Sequence, residues 1–197
     1  MLSKADKTRR HIIEKSAPIF NTKGYAATTM SDILKATGLA KGGIYGNFSS
    51  KDEIAAEAFE FAYNKLKEEL RFKIKQQKTA LDKLYAILDY YHNYTVHPHI
   101  EGGCPLLNTA VDADDHIPFL KKKAKAALDE MVGSLAYIIS KGIEKGEFRK
   151  EINAVQEAEI FVALIEGSIM MSKLSDNPAV LNRMLNLLKL RIKHWTP

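Results

Sequence analysis

The chain has 197 residues, 46% of them hydrophobic and 27% charged, with 11 Gly and 6 Pro; this excludes a disordered, collagen-like or low-complexity polymer and leaves enough apolar material for a buried core. The single cysteine, Cys104, can form no internal disulfide or cysteine-based zinc cluster. With no signal-like opening and no membrane-length apolar run, a cytoplasmic protein without a membrane partner is expected. The net charge of +5 is unevenly placed: residues 1–51 hold nine Lys/Arg against three acids, whereas residues 52–197 hold 20 basic and 21 acidic residues. A basic head on a neutral body points to a polyanion, most economically nucleic acid, or to a solubilising basic face.

Apolar spacing is helical along the whole chain and no alternating run sits between hairpin turns, so the fold class is all-α. The first helix is expected over about Lys4 to Thr22, with Ile13, Ala17 and Phe20 on one face, a bend at Pro18, and a stop at Asn21-Thr22-Lys23-Gly24. Thr29-Met30-Ser31-Asp32 has the form of a capping box opening a second helix with Ile33, Leu34 and Ala36. Gly38 ends it, and a short third helix covers Ala40 to Asn47. Ser50-Lys51-Asp52-Glu53 reads as another capping box, starting a long helix with Ile54, Ala58, Phe61, Ala62 and Leu66. Further helices are expected at about Thr79 to Val96, Leu106 to Ala113, Pro118 to Lys141, Ala154 to Leu174 and Pro178 to Trp195.

Two short helices around a glycine turn, buttressed by a longer one, describe a helix-turn-helix. Gly38 allows the left-handed turn, Leu39 plugs the angle, and Ile33, Leu34, Ile44 and Phe48 form the small core. Lys41, Gly42, Gly43, Tyr45 and Asn47 are then exposed. Adjacent glycines weaken a helix by about 1 kcal/mol each relative to Ala, which makes sense where a backbone approaches something closely, such as a major groove flanked by phosphate contacts from Tyr45 and Lys51. A phosphate-cradling loop is the competing reading of the glycines, without the Lys-Ser/Thr or preceding strand it needs. Tyr45 also reads as an ordinary core aromatic.

The stretch from Thr8 to Phe61, with Gly24-Tyr25-Ala26-Ala27-Thr28-Thr29-Met30, Ile33, Gly38, Leu39-Ala40-Lys41-Gly42-Gly43-Ile44-Tyr45-Gly46-Asn47-Phe48 and Lys51-Asp52-Glu53, resembles the DNA-binding domain of TetR-family transcriptional regulators. The resemblance implies phosphate contacts from Thr29, Tyr45, Asn47 and Lys51, and base-facing positions at Lys41, Gly42 and Gly43. Gly43 stands where the family commonly has Thr or Ser, and Gly46 replaces a frequent bulky residue, so base readout rests on few side chains. The expected division is a DNA-binding domain over 1–50 and a ligand-binding and dimerisation domain over 51–197.

A small reading head needs a second copy on a neighbouring half-site, about 34–36 Å away. Two stripes at helical spacing suit a homodimer: Ile160, Leu164, Gly167, Ser168 and Met171, and Leu181, Met184, Leu185 and Leu188. Either also reads as intramolecular core; the resemblance, to a family that dimerises through its last helices, favours the dimer. Tyr63, Tyr85, Tyr91, His92, Tyr94, Cys104, Leu107 and Asn108 combine aromatic bodies with polar groups, as expected of an effector pocket or of plain core. Cys104 reads as a small buried residue or as a reactive thiol at a helix N-terminus, and its segment resembles one found in a subgroup of these regulators, some of which sense electrophiles or oxidants through cysteine. His92, His97, His99 and His116, near Asp112, Asp114 and Asp115, match no two-histidine motif, so neither metal nor cofactor is expected. No nucleophile elbow, paired catalytic carboxylates or phosphate loop suggests an enzyme. The expectation is a ligand-responsive homodimeric repressor on a palindromic double-stranded DNA operator, released by a small-molecule effector or an electrophile.

Overall fold

The computed structural model describes residues 3–197 and, among them, nine α-helices and no strand. They are α1 (Lys4–Ala27), α2 (Met30–Thr37), α3 (Lys41–Tyr45), α4 (Lys51–Lys75), α5 (Ala80–Tyr91), α6 (Pro105–Ala113), α7 (Pro118–Glu144), α8 (Ala154–Leu174) and α9 (Ala179–Lys193). Among the described residues, no helix is long and apolar enough to cross a membrane.

The helix starts follow side-chain caps. Ser3 and Asp6 form a capping box on α1, and Thr29 and Asp32 form one on α2. Thr79 caps α5 and Asn153 caps α8 by accepting from the backbone N–H three residues on. At α4 the box is displaced: Ser50 accepts from the Glu53 N–H, but the Glu53 carboxylate turns back to the Ser49 N–H and hydroxyl, each at 2.8 Å. Cys104 precedes α6, with Pro105 in the first turn, where a missing N–H is harmless.

Several expected boundaries move. The expected bend at Pro18 gives way to a break at Gly24 (φ 77°): α1 runs through Pro18 with helical dihedrals, forgoing one backbone hydrogen bond, and the chain turns where glycine permits a positive φ. The third helix is five residues, shorter than Ala40 to Asn47, because the chain tightens after Tyr45 and the N–H groups of Asn47 and Phe48 both reach the Ile44 carbonyl. Likewise α5 stops at Tyr91 rather than Val96. Three-residue turns follow, donated by His92, Tyr94 and Val96 to Asp89, Tyr91 and Asn93.

The chain forms two compact units: the described residues up to Lys65 with His99–Ala126, and Leu66–Pro98 with Ala127–Pro197. The first unit has a core of Ile12, Ile33, Ile44, Phe48 and Ile54, edged by Ile13, Phe20, Leu34 and Leu39, and a second cluster of Ala17, Ala58, Ala62 and Ile100. In the second unit α9 packs on α8 and α5. Phe161, Ile165 and Ile169 of α8 and Leu181, Leu185, Leu188 and Ile192 of α9 are buried there. Phe148 and Phe161 lie against Trp195 at 5.7 and 5.8 Å between ring centroids, and the Glu147 carboxylate caps α5 from a distance by accepting from the Ala80 and Leu81 N–H groups.

Candidate nucleic-acid interface

The helix-turn-helix is built as its residues dictate. Gly38 ends α2 in the left-handed conformation (φ 67°) and donates its N–H to the Leu34 carbonyl at 3.0 Å. This turn directs Leu39 and Ile44 inward, and α3 then keeps one face on the core and the other in solvent. Having five residues and no side-chain cap, α3 owes its position to its neighbours rather than to helix propensity.

Arg9 of α1 supplies much of that support. Its guanidinium lies 4.0 Å over the Phe48 ring, ion-pairs with Glu53 and Glu57 of α4, and donates to the Asn47 carbonyl just beyond α3. The Arg9 hydrogen bond, with further donors from Ser49, holds the Glu53 carboxyl down at about 2. At the start of α2, Lys23 donates to Asp32 at 2.7 Å, and this bond, with those from Thr29, holds Asp32 well below the usual carboxylate range. Arg9 and Lys23 are therefore engaged inside the head.

Thr29, Lys41, Gly42 and Tyr45 lie on the exposed surface of α2 and α3. The Lys41 ammonium sits 5.8 Å from the centre of the Tyr45 ring, and Tyr45 is 46% exposed. Gly43, Asn47 and Lys51 are half-buried. The Asn47 amide donates to the Gly43 carbonyl at 2.8 Å. Lys51 donates to the carbonyls of Tyr25 and Thr28 at 2.9 and 3.0 Å, its ammonium 4.1 Å from the centre of the Tyr25 ring. The structure thus makes Lys51 a clamp that satisfies two carbonyls at the entry to α2.

Sequence reasoning missed the connections between α1 and α6, all within the first unit. Tyr25 donates its N–H to Asp112 at 2.6 Å and its hydroxyl to Asp52, and its ring meets Phe20 and Phe119. Burial, and then the Asp52 hydrogen bond, push the Tyr25 hydroxyl up to about 12. The Asn108 amide donates to the Asn21 carbonyl and side-chain oxygen and to the Gly102 carbonyl. A Cβ on Gly24 would lie 2.8 Å from the Asp112 carboxylate, and one on Gly102 (φ +99°) 2.6 Å from the Asn21 carbonyl. The glycines were the available signal, although a sequence does not say what approaches them.

The residues expected to line a pocket divide between the units. Tyr63, Cys104, Leu107 and Asn108 belong to the first; Tyr85, Tyr91, His92 and Tyr94 belong to the second. Tyr90, Tyr91 and Tyr94 form a buried ring cluster with centroids 5.1–5.9 Å apart, whereas His92 is exposed and Cys104 fully buried. Of the residues expected at a dimer interface, Ser168, Leu181, Leu185 and Leu188 are buried within the chain itself. Ile160, Leu164, Gly167 and Met184 are half-buried and Met171 is exposed. Met170, Leu174, Leu187 and Leu190 are also exposed on the same two helices, Leu174 to 81%. Among the described residues no group of three or more His, Cys, Asp or Glu side chains could hold a metal ion.

Comparison with known proteins bears on this arrangement. Residues 12–58 match the family model for bacterial regulatory proteins of the tetR family, and residues 80–188 match that for the tetracyclin repressor-like C-terminal domain. A TetR-family transcriptional regulator from Cytophaga hutchinsonii has 37% identity, with 100% of this chain and 98% of that one covered and a TM-score of 0.92. A TetR transcriptional regulator from Chloroflexus aurantiacus J-10-FL has 35% identity, 98% coverage of both chains and a TM-score of 0.94. Among curated relatives, the HTH-type transcriptional repressor DhaR of Mycobacterium sp. (strain GP1) is 21% identical, over 91% of this chain and 89% of its own length. With the C-terminal pattern matched over more than half of its length and the N-terminal pattern over its helix-turn-helix, the chain belongs to the TetR family of bacterial transcriptional regulators.

Proposed function

We propose that the chain is a homodimeric repressor of a palindromic DNA operator, acting in the cytoplasm, with residues 1–50 reading DNA and residues 51–197 carrying the dimer face and effector site. The observation that carries the reading is the outer face of α3: exposed Lys41, Gly42 and Tyr45 on a short helix seated by buried Ile44 and Phe48 and by Arg9 of α1, which donates to the Asn47 carbonyl. Such a helix suits insertion into a major groove, with Thr29 and Tyr45 meeting flanking phosphates. Asn47 then acts by holding the Gly43 carbonyl of α3, and Lys51 by fixing the backbone at the entry to α2.

For the dimer, the exposed residues of α8 and α9 are the proposed contact: Met171, Leu174, Leu187 and Leu190, flanked by Leu164 and Met184. Large apolar side chains left in water on two adjacent helices favour a self-complementary pairing. An aromatic or amphipathic effector is the proposed ligand of the body, and α4 is the proposed route from body to head. An effector that binds one of two head arrangements better shifts their populations and so changes operator affinity. The electrophile arm requires that Cys104 be uncovered: alkylation of native protein as fast as of unfolded protein would support it, and labelling only on unfolding would remove it.

The test of the reading is nuclease footprinting across the DNA upstream of the gene. Two-fold symmetric protection that weakens steeply with salt is expected; unchanged cleavage at low salt contradicts it.

A further inference from the structure

At the end of α4 the chain leaves an apolar ring in water inside a cluster of cations. Residues 71–78, Arg-Phe-Lys-Ile-Lys-Gln-Gln-Lys, finish α4 and make the turn before α5 with four cations and no acid, in a body that is neutral as a whole. Phe72 is 68% exposed, whereas the other seven phenylalanines of the chain are buried or half-buried. Leu70 and Ile74, one turn apart, form the half-buried side of this stretch. Phe72 lies opposite them, with Arg71 and Lys75 on one flank and Lys73 on the other. Lys67, one turn before Arg71, pairs with Glu130 at 3.0 Å; among the described residues the side chains of Arg71, Lys73, Lys75 and Lys78 make no hydrogen bond or ion pair. Of the nearby carboxylates, Glu69 accepts from the Tyr90 hydroxyl at 3.5 Å, Asp82 from the Thr79 hydroxyl at 2.6 Å, and Glu147 from the Ala80 and Leu81 N–H groups. Glu68 is the exposed acid beside the cations on α4.

Cations in the last turn of a helix complement its dipole, which accounts for Lys73 and Lys75 but not for an exposed phenylalanine among them. We propose that this tip of the body is a docking surface for an anionic lipid bilayer. The ring enters the boundary between headgroups and acyl chains while the four cations reach lipid phosphates around it, as in helices that lie on membrane surfaces. A contact of this kind needs no membrane-length apolar run. A nucleic acid strand suits the tip less well: it is held in a groove that tracks its backbone, with an aromatic platform for each of several bases. The tip is a helix end carrying one exposed ring. The chemistry recognised is a layer of phosphate esters over hydrocarbon, so binding requires both negative headgroups and an apolar interior beneath them.

The test is sedimentation of the full chain with vesicles of phosphatidylcholine alone or mixed with phosphatidylglycerol, at low and near-physiological salt. Wild type is compared with Phe72→Ser, with Arg71→Gln plus Lys75→Gln, and with Lys4→Gln plus Lys7→Gln as a control for the basic head; thermal unfolding is recorded for each. Wild type is expected to bind the mixed vesicles at least tenfold more tightly than the neutral ones, and salt should release it. Phe72→Ser should weaken that binding about tenfold through lost insertion of the ring. The double change at Arg71 and Lys75 should weaken it about twenty-five-fold, at roughly fivefold per cation. Both tip variants should melt as wild type does, and the head control should bind as wild type does. Equal binding to both vesicle types, wild-type binding by either tip variant, or a loss confined to the head control overturns the proposal. Single-stranded RNA is the second probe: if it binds in a way that Phe72→Ser abolishes while the vesicles do not bind, the tip serves a nucleic acid and the lipid assignment fails.

Discussion

The helix-turn-helix and the α8–α9 pair combine polar and apolar contacts in different proportions. Around α3 the apolar contacts of Ile44 and Phe48 are joined by a polar fixing from a distant position, Arg9 of α1 donating to the Asn47 carbonyl, while Lys51 and the Thr29–Asp32 box hold the entry to α2. The α8–α9 pair is joined mainly by apolar side chains, with Leu181, Leu185 and Leu188 turned inward and Leu187 and Leu190 turned out, and also by Arg191 of α9 donating to both carboxylate oxygens of Glu157 of α8 at 2.6 and 2.8 Å. A five-residue helix cannot bury enough apolar surface to fix its own orientation, so hydrogen bonds and ion pairs with directional geometry do so. The two longer helices bury more apolar surface between them, and α9 has apolar material left over on its second face.

Leu188 separates the two regions most sharply. If it is protomer core, Leu188→Ala lowers stability by about 2–5 kcal/mol in denaturant melts, at every protein concentration. A loss that vanishes on dilution would return Leu188 to the dimer face. Next comes the outward face. Leu174→Glu with Leu190→Glu is expected to weaken self-association by about 2 kcal/mol, some thirtyfold in Kd, in sedimentation equilibrium, leaving the helical far-ultraviolet signal unchanged. Unchanged self-association would move the interface elsewhere. In the head, Lys51→Met leaves the Tyr25 and Thr28 carbonyls without their donor and should lower stability by about 1–2 kcal/mol; equal stability of mutant and wild type would deny the clamp.

The smallest effect is on pH. Glu53 is held at about 2 against an ordinary value of 4.5, so its contribution is present above about pH 4.5 and fades as the pH falls toward 2. Glu53→Gln should therefore narrow the stability difference between pH 6 and pH 3 in denaturant melts. An identical pH profile in both proteins would show that the Arg9 pair does not stabilise the head.

These forces also account for what was legible beforehand. Thr29 three residues before Asp32, and Gly38 after the last apolar residue of α2, are local patterns whose meaning does not depend on the rest of the chain, and both stand as read. The all-α class was legible for the same reason. Arg9, Lys51 and Asn108 act across 23 to 87 residues of sequence, so their partners follow only from the fold. Leu185 and Leu187 show the limit within a helix: both are leucines in one apolar segment, and only packing shows that the first is 2% exposed and the second 48%.

Whether two copies of this chain place their heads on one symmetric duplex is answered by the mass of the complex formed with a duplex selected from a random pool by the wild-type protein. Sedimentation velocity at low salt should show one species, two chains on one duplex. A complex of one chain per duplex, or a series of masses growing with protein concentration on any sequence, would contradict it.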